Sequence, residues 1–278
     1  MNCAGPDYYT PGAIHYSADH SCIGGITGQN ESIPDILYTE YDTLYKTERI
    51  PQEELGSFQY ESPVPNGNYV VLLHFAEIWF GAPGGPSNSN VPGKRVFSVD
   101  IENQRRLSDY DIIADVGTMA AAVKRYDVAV CDGSLSLSFT ASVNKPKCSA
   151  IEILPAPTPY SGVAQLPGRV EAEHFDKGGE GSAFHDGWSY NQGDVYRTSE
   201  GVDIRTVADT GGGYGVGWTD AGEWLGYTVN VTRTGTYTVQ ARVASGVPVG
   251  PSISSSTGST RPGRSPSRTQ VGGTRGGR

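Results

Sequence analysis

The chain has 278 residues, of which 37% are hydrophobic, a length typical of about two domains. Gly (37) and Pro (18) are abundant and Tyr (16) far outnumbers Met (2), which favours strands and turns over helices. The formal net charge of −9 argues against nucleic acid or an anionic membrane surface as the partner. No apolar run approaches the length of a membrane span, so we expect no membrane insertion.

The first half of the chain contains a series of short strand patterns with no helical pattern between them. An uninterrupted apolar run predicts one buried strand, and alternation of apolar and polar residues predicts half-buried strands. Short strands at this spacing suggest a sandwich of two sheets. The predicted strands are Tyr69–Phe75, Arg95–Ile101, Arg125–Val130, Ser134–Thr140 and Ala150–Leu154.

A turn signal separates two of these alternating runs. Asp132 and Gly133 stand between the run that ends at Val130 and the run that begins at Ser134. Asp-Gly between two alternating runs is typical of a β-hairpin, so these two strands are predicted to pair.

A Pro-rich linker, residues 156–165, follows the first unit, with Pro at positions 155, 157 and 159 making it stiff. A second unit is predicted over residues 166–246. Its strands are expected at its start near Glu171 and Glu173, within Tyr214–Val231, and over Gly235–Val243, which alternates cleanly.

Residues 247–278 form a tail that is mostly Ser, Thr, Gly, Arg and Pro, with no aromatic residue. Such a composition cannot bury enough apolar surface to offset its ordering entropy, so the tail is predicted to be disordered. The predicted fold class is therefore all-β, with two β-sandwich (jelly-roll-like) domains, the second truncated, and a disordered C-terminal tail.

The chain has four cysteines, and none of them has the spacing of a zinc site. They form either one or two disulfides in an oxidising compartment or remain buried free thiols. Cys3–Cys22 is the favoured pair, ahead of Cys131–Cys148. No signal peptide is expected within this chain, because the first domain begins at residue 2.

Residues 1–155 resemble the malectin family of carbohydrate-binding domains. The resemblance implies a β-sandwich that holds a short glucan or glycan between its loops. The residues that carry it are Asn2–Pro6, Leu44–Arg49, His74–Phe80, Arg95–Val99, Phe139–Asn144 and Ala150–Ile153.

Sugar binding needs an aromatic side chain for the C–H face of the ring and fixed polar groups for the hydroxyls. Trp79 and Phe80 follow a predicted buried strand, where they either face the sugar or close the core. The resemblance places Asn144 where the family has an acid. Glu48 and Arg49 are a polar pair that either contacts the ligand or forms a structural salt bridge.

Besides Asn144, two positions depart from the malectin pattern: Ile50 and, more loosely, Ile23 stand where the family has Tyr. The departures at Ile50 and Asn144 favour a rival interpretation, in which the domain is a structural or adhesive spacer whose sugar site has decayed.

Residues 166–246 resemble the front part of a family-six carbohydrate-binding module. The residues that carry it are Val170–Asp176, Tyr196–Ile204, Asp209–Leu225, Gly235–Tyr237 and Ala241–Ser245. The resemblance implies Trp218 as the sugar plate, flanked by Tyr214, with Asp203 as a polar partner. It also implies structural calcium at Glu171 and Glu173, which otherwise are exposed strand acids.

The sequence contains no nucleophile elbow, metalloprotease motif or phosphate loop, and we predict that the chain is not an enzyme. The predicted function is non-catalytic carbohydrate binding by a secreted multidomain protein, at an extracellular or cell-surface location. The alternatives are the spacer and a fragment of a glycoside hydrolase whose catalytic domain lies outside this chain.

The tail is also predicted to be a frameshift of the missing half-module. If each true codon joins the third base of one visible codon to the first two bases of the next, Ser codons of the TC type give apolar residues. With suitable codons for Ser252–Ser256 the hidden frame alternates apolar and polar residues, as a half-buried strand does. A genuine Ser/Arg/Gly linker is the alternative.

Overall fold

A computed structural model describes residues 1–10, 14–86, 89–208, 212–244 and 268–272, the last range for its backbone only. The chain divides into two compact units, Met1–Pro155 and Ala156–Arg278. The division falls at the same residue as the boundary expected from the sequence, and each unit is described by itself.

Unit 1 contains twelve strands and two single-turn helices in its described residues. The helices are α1 (Asp42–Tyr45) and α2 (Ile112–Asp115). The strands are β1 (Tyr8–Tyr9), β2 (His15–Tyr16), β3 (Cys22–Ile23), β4 (Ile26–Gln29), β5 (Thr47–Ile50), β6 (Ser57–Pro63), β7 (Gly67–Ala76), β8 (Val96–Ile101), β9 (Gln104–Tyr110), β10 (Ala121–Val130), β11 (Ser134–Val143) and β12 (Ala150–Pro155).

Two antiparallel sheets of unit 1 share one hydrophobic core. One sheet has the strand order β10-β7-β12 and the other β3-β6-β11-β8-β9. Phe75 of the first sheet and Phe58, Phe97 and Phe139 of the second are fully buried in the same cluster, where Phe58 stacks on Phe139 with ring centroids 4.6 Å apart. The all-β prediction and the five predicted strands of this unit are confirmed, with shifts of a few residues at their ends.

The predicted hairpin at Asp132–Gly133 is wrong, because β10 and β11 lie in different sheets. β10 pairs with β7, whereas β11 pairs with β6 and β8. Gly133 takes a φ of +84° and its carbonyl accepts a hydrogen bond from Val64 N at 3.1 Å, so the turn carries the chain across the edge of the core. Both strands alternate because each buries one face between the sheets, a pattern that does not require them to pair with each other.

Unit 2 has shorter strands and a smaller core. Its elements are β13 (Ala164–Leu166), the 3₁₀ helix Ala172–His174, β14 (Phe184–His185), β15 (Ile204–Thr206), β16 (Tyr214–Val216), β17 (Trp224–Val231) and β18 (Arg268–Gly272). β17 pairs with β13, β14 and β18, and β15 pairs with β16. Phe175, Phe184 and Ile204 lie at the centre of its core.

Three predictions for unit 2 differ from the structure. Residues 156–165 are not a free linker, because Thr158 pairs with Lys177 and Ala164 lies in β13. The segment Ala172–His174 is a 3₁₀ helix instead of a strand. Gly235–Val243 forms no strand, and its Val239 and Val243 side chains are exposed, because alternation becomes a strand only where a partner strand and a core are available.

Within the predicted disordered tail, residues 268–272 form β18, antiparallel to β17. Residues 245–267 and 273–278, which include the rest of the tail and the frameshift predicted for it, lie outside the described residues. In the part of the chain that the structure describes, no helix is long and apolar enough to cross a bilayer.

Candidate functional site

The turn that carries Trp79 and Phe80 begins three residues after β7 ends and is fixed by a buried carboxylate. Glu77 is fully buried, and its Oε1 accepts hydrogen bonds from Trp79 N at 2.9 Å and Phe80 N at 3.1 Å. Trp79 is 47% exposed and Phe80 is half-buried. The indole therefore has accessible surface, whereas Phe80 is partly enclosed, and contact of either ring with a sugar stays a prediction.

Arg95 connects this turn to a second one. Its Nε donates to Glu77 Oε2 at 2.7 Å, and its guanidinium lies 5.4 Å from the centre of the Phe80 ring. Its Nη1 donates to the carbonyl of Lys145 at 2.7 Å, beside Asn144. The Phe80 ring and the backbone next to Asn144 thus meet at one buried guanidinium.

Asn144 lies in the turn after β11 with a φ of +59°. Its side chain donates from Nδ2 to Glu54 Oε1 at 3.1 Å, and its carbonyl accepts from Leu55 N at 2.7 Å. The amide is therefore shared with the 51–56 turn and is not held open for a ligand.

The predicted pair Glu48–Arg49 is not a pair. Adjacent residues in β5 point to opposite faces of the strand, so the two side chains diverge. Glu48 contacts the buried ammonium of Lys147, and Arg49 contacts Asp19. Both are structural ion pairs in this structure, and neither side chain lines an open surface.

Aliphatic side chains are exposed at and near the positions that depart from the family pattern. Ile23 is 55% exposed, and Ile26 lies opposite Ile50 on the β4–β5 ladder. Leu55, whose N–H donates to the Asn144 carbonyl, is 65% exposed. At Ile23 and Ile50 an aliphatic side chain therefore stands where the resembled family has Tyr.

All four cysteines are free thiols, and the predicted pair Cys3–Cys22 is not formed. Cys3 and Cys148 are both fully buried, and the two thiols interact. Burial raises the pKa of the Cys148 thiol well above its usual value, and the hydrogen bond with Cys3 adds to the shift. The reason is local pairing: Asn2 bridges to Ala150, which brings Cys3 to the strand that begins just after Cys148.

In unit 2, Trp218 follows β16 with a φ of +46° and is 51% exposed. Tyr214 stacks on Tyr196 with ring centroids 4.4 Å apart, so one of its faces is covered. Asp203 is buried and accepts from Gln192 N at 2.6 Å and Gln192 Nε2 at 3.0 Å. Of the three predicted contacts, Trp218 presents the most accessible surface.

Trp188 and Tyr190 are aromatic surface residues that the sequence analysis missed. They are 48% and 57% exposed, with ring centroids 6.1 Å apart. Asp186 Oδ1 accepts from Trp188 N at 2.9 Å and orders this turn. Burial, the charge of Glu223 and other nearby carboxylates raise the pKa of Asp186 to about 6. In the sequence, the position of Trp188 between Gly187 and Ser189 in a loop could have indicated an exposed aromatic side chain.

The predicted calcium ligands do not form a cage. Glu171 pairs with the exposed Arg169, and Glu173 is buried on the 3₁₀ helix. Among the described residues no group of three or more His, Cys, Asp or Glu side chains is arranged to hold a metal ion. Calcium at these residues stays a prediction, and it needs ligands beyond the two.

Two family models match this chain. A family model described as "Malectin domain" matches residues 1–153, and one described as "Carbohydrate binding module (family 6)" matches residues 192–276. The second match begins within the domain expected at 166–246 and extends into the tail.

Malectin from Mus musculus is 27% identical over 203 residues, covering 64% of this chain and 66% of its own length. Malectin-B from Xenopus laevis is 26% identical, covering 54% and 51%. A probable LRR receptor-like serine/threonine-protein kinase of Arabidopsis thaliana is 36% identical, covering 49% of this chain and 16% of its own. The chain spans about half the length of Malectin-B.

Among solved structures, the plant receptor-like kinase ANX2 is similar with a TM-score of 0.46 and 21% identity, covering 55% of this chain and 46% of its own. A β-glucuronidase from Bacteroides uniformis is similar with the same TM-score and 16% identity, covering 55% and 17%.

Proposed function

Because the chain belongs to the malectin domain family and carries a family-six carbohydrate-binding module behind that domain, we propose that it is a non-catalytic glycan-binding protein. Both domain types bind carbohydrate in general. The observation that carries the proposal is the Trp79 indole, which is 47% exposed on a turn whose backbone N–H groups are held by the buried Glu77 carboxylate. An accessible aromatic face on a backbone that is already ordered suits stacking against a sugar ring.

We assign Trp79 and Phe80 to the C–H face of a sugar and Asn144 to a hydroxyl. In unit 2 we assign Trp218 as the sugar plate. The likeness to receptor-like kinases supports an extracellular or cell-surface location, and a place in a longer secreted protein with an attached hydrolase is part of the proposal.

Affinity electrophoresis of the full chain in gels that contain glucan, xylan or galactan tests this function. We expect at least one polysaccharide to retard the chain, and Trp79→Ala to weaken its binding more than tenfold, as for a hot-spot aromatic. Tyr9→Ala is the matched control, because Tyr9 is an aromatic residue of the same unit that is 66% exposed and whose ring stacks on His15. If the gel retards both variants equally, the glycan binds at a site other than Trp79.

A spacer function is the second candidate, and one observation favours it. Ile23 and Ile50 are aliphatic where the resembled family has Tyr, and the Asn144 amide donates a hydrogen bond to Glu54. If none of the three polysaccharides retards the wild-type chain, the spacer becomes the better assignment.

We also propose that the second module is incomplete because of a frameshift. The segment Gly235–Val243 alternates and yet forms no strand, which supports this, since its neighbouring strands would come from the missing half. The nucleotide sequence decides it. A frame shifted by one base after Val247 that meets a stop codon would contradict the idea, and the family-six match in the written frame to residue 276 would then define the domain.

A further inference from the structure

Four charged side chains are buried together in unit 1 and form a charge-balanced network. Glu48, Glu77, Arg95 and Lys147 have exposed fractions of 5%, 0%, 4% and 0%. Lys147 forms an ion pair with Glu48, and Arg95 forms an ion pair with Glu77. The charges of Lys147 and Arg95 outweigh the cost of burial and hold the pKa of Glu77 below its usual value, so its carboxylate is ionised at neutral pH.

The members of the network lie close in sequence to the site positions. Glu48 is two residues before Ile50, Glu77 is two before Trp79, and Lys147 is three after Asn144. Each of the three segments that the site draws on, namely strand β5 and the turns at Trp79 and Asn144, therefore carries one buried charge of the network. We propose that this network is a positioning device that holds the three segments in the geometry needed to bind a glycan.

The contacts give each member a defined task. Glu77 uses one oxygen for the two backbone N–H groups of the Trp79–Phe80 turn and the other for Arg95. The Arg95 guanidinium lies over the Phe80 ring and donates a hydrogen bond to the Lys145 carbonyl. Lys147 joins this group to β5 through Glu48. Movement of one segment thus requires a buried charge to lose its partner.

The energetics favour positioning over stability as the role of the network. Buried ion pairs lose solvation on folding, and well-packed apolar replacements of a whole pair are often neutral or stabilising. Removal of one partner alone is costly, which makes the relative placement of the segments highly specified. A buried charge network that contacts the Trp79–Phe80 turn, the segment after Asn144 and β5 therefore fits a demand for a defined geometry of these segments.

The inference rests on the proposed function, and its main test separates affinity from stability in the full chain. The double variant Glu48→Met, Lys147→Met replaces both members of one buried pair by apolar side chains of similar length. We expect its thermal midpoint to stay close to that of the wild type and its affinity for the best polysaccharide to fall at least tenfold, measured well below the midpoint. Arg105→Gln, which breaks the exposed pair with Asp100, is the control and should change neither.

A second measurement needs no glycan and stays informative if the chain binds none. Amide hydrogen exchange of Trp79 and Phe80 should speed up at least tenfold in Glu77→Gln, and Arg95→Lys should restrain these amides more than Arg95→Met does. Unchanged exchange in Glu77→Gln, or unchanged affinity in the folded double variant, would overturn the proposal. Failure of the wild type to bind any glycan would instead remove the proposed function.

Discussion

The two units of this chain use the same kind of sequence pattern and reach different degrees of burial. Among the described residues, the two core clusters of unit 1 contain 19 and 10 buried residues, whereas the core cluster of unit 2 contains five. Ser134–Val143 of unit 1 alternates and lies between two partner strands. Gly235–Val243 of unit 2 alternates as clearly and has exposed valines. An alternating pattern therefore indicates a face that can be buried, and the partner strands decide whether it is.

The largest expected effect concerns independent folding. A fragment of residues 1–155 should unfold cooperatively on heating, because its two sheets cover a closed core. A fragment of residues 160–278 should show no cooperative transition, because its short strands bury too little apolar surface to offset the ordering entropy. Calorimetry and amide NMR dispersion measure both. Dispersed amide signals and a sharp thermal transition in the second fragment would show that unit 2 also folds on its own and would contradict this prediction.

The next effect concerns the turn that carries Trp79. A Cβ at Gly85 would lie 1.8 Å from the Trp79 carbonyl oxygen, so Gly85→Ala must displace backbone and should destabilise unit 1 by about 3 kcal/mol. Gly67→Ala is the control, since its Cβ would meet only the Tyr69 ring at 3.7 Å. Urea unfolding gives both values. If Gly85→Ala costs no more than Gly67→Ala, the turn is looser than its contacts indicate.

The sequence predicts the strands of unit 1 well, because each buries a face in a core that the whole unit supplies. It misplaces the pairing of β10 and β11, since period-two alternation reports which face is buried and not which strand lies alongside. It finds Trp79, whose exposure follows from its place after a buried strand. It misses that Glu48 and Arg49 diverge and that Glu77 holds the turn, because those facts depend on long-range contacts with Lys147, Asp19 and Arg95.

The two units should also respond to pH with opposite signs. Despite burial, Arg95 and Lys147 lower the pKa of Glu77, and His74 lowers that of Glu152, both from 4.5. The unfolded chain then binds more protons than the folded one, so this stability is complete above about pH 4.5 and is lost as the pH falls through the folded values. Asp186, with its pKa raised from 3.8 to about 6, lowers the stability of unit 2 as the pH rises across that interval.

Urea unfolding of the 1–155 fragment between pH 3 and 7 measures how the stability of unit 1 depends on pH. Glu152→Gln should make this dependence weaker. Limited proteolysis of unit 2 in the full chain measures how the stability of that unit depends on pH. Asp186→Asn should slow cleavage at pH 7 and leave it unchanged at pH 4, where the wild-type carboxyl is mostly protonated. If the stability of both units changes in the same direction with pH, other titratable groups determine the pH dependence of one of them.

The smallest effect compares the polar residues assigned to the two sites. Asp203 is buried and held by Gln192, whereas Asn144 is partly exposed and held by Glu54. Asn144→Asp places a second carboxylate against Glu54, and because the pair is near solvent the cost should stay below about 1 kcal/mol. Asp tolerates the φ of +59° as Asn does, so the backbone should not move.

Repulsion from Glu54 should turn the new carboxylate toward the site, where it can accept a sugar hydroxyl, and we expect the affinity of Asn144→Asp to rise about threefold. Glu54→Gln in the same background restores a donor to the new carboxylate and should cancel the gain. Affinity electrophoresis with Trp79 intact measures both. A loss of affinity in Asn144→Asp that Glu54→Gln does not change would instead mean that the Asn144 amide donates to the glycan, and that the tie to Glu54 opens when the glycan binds.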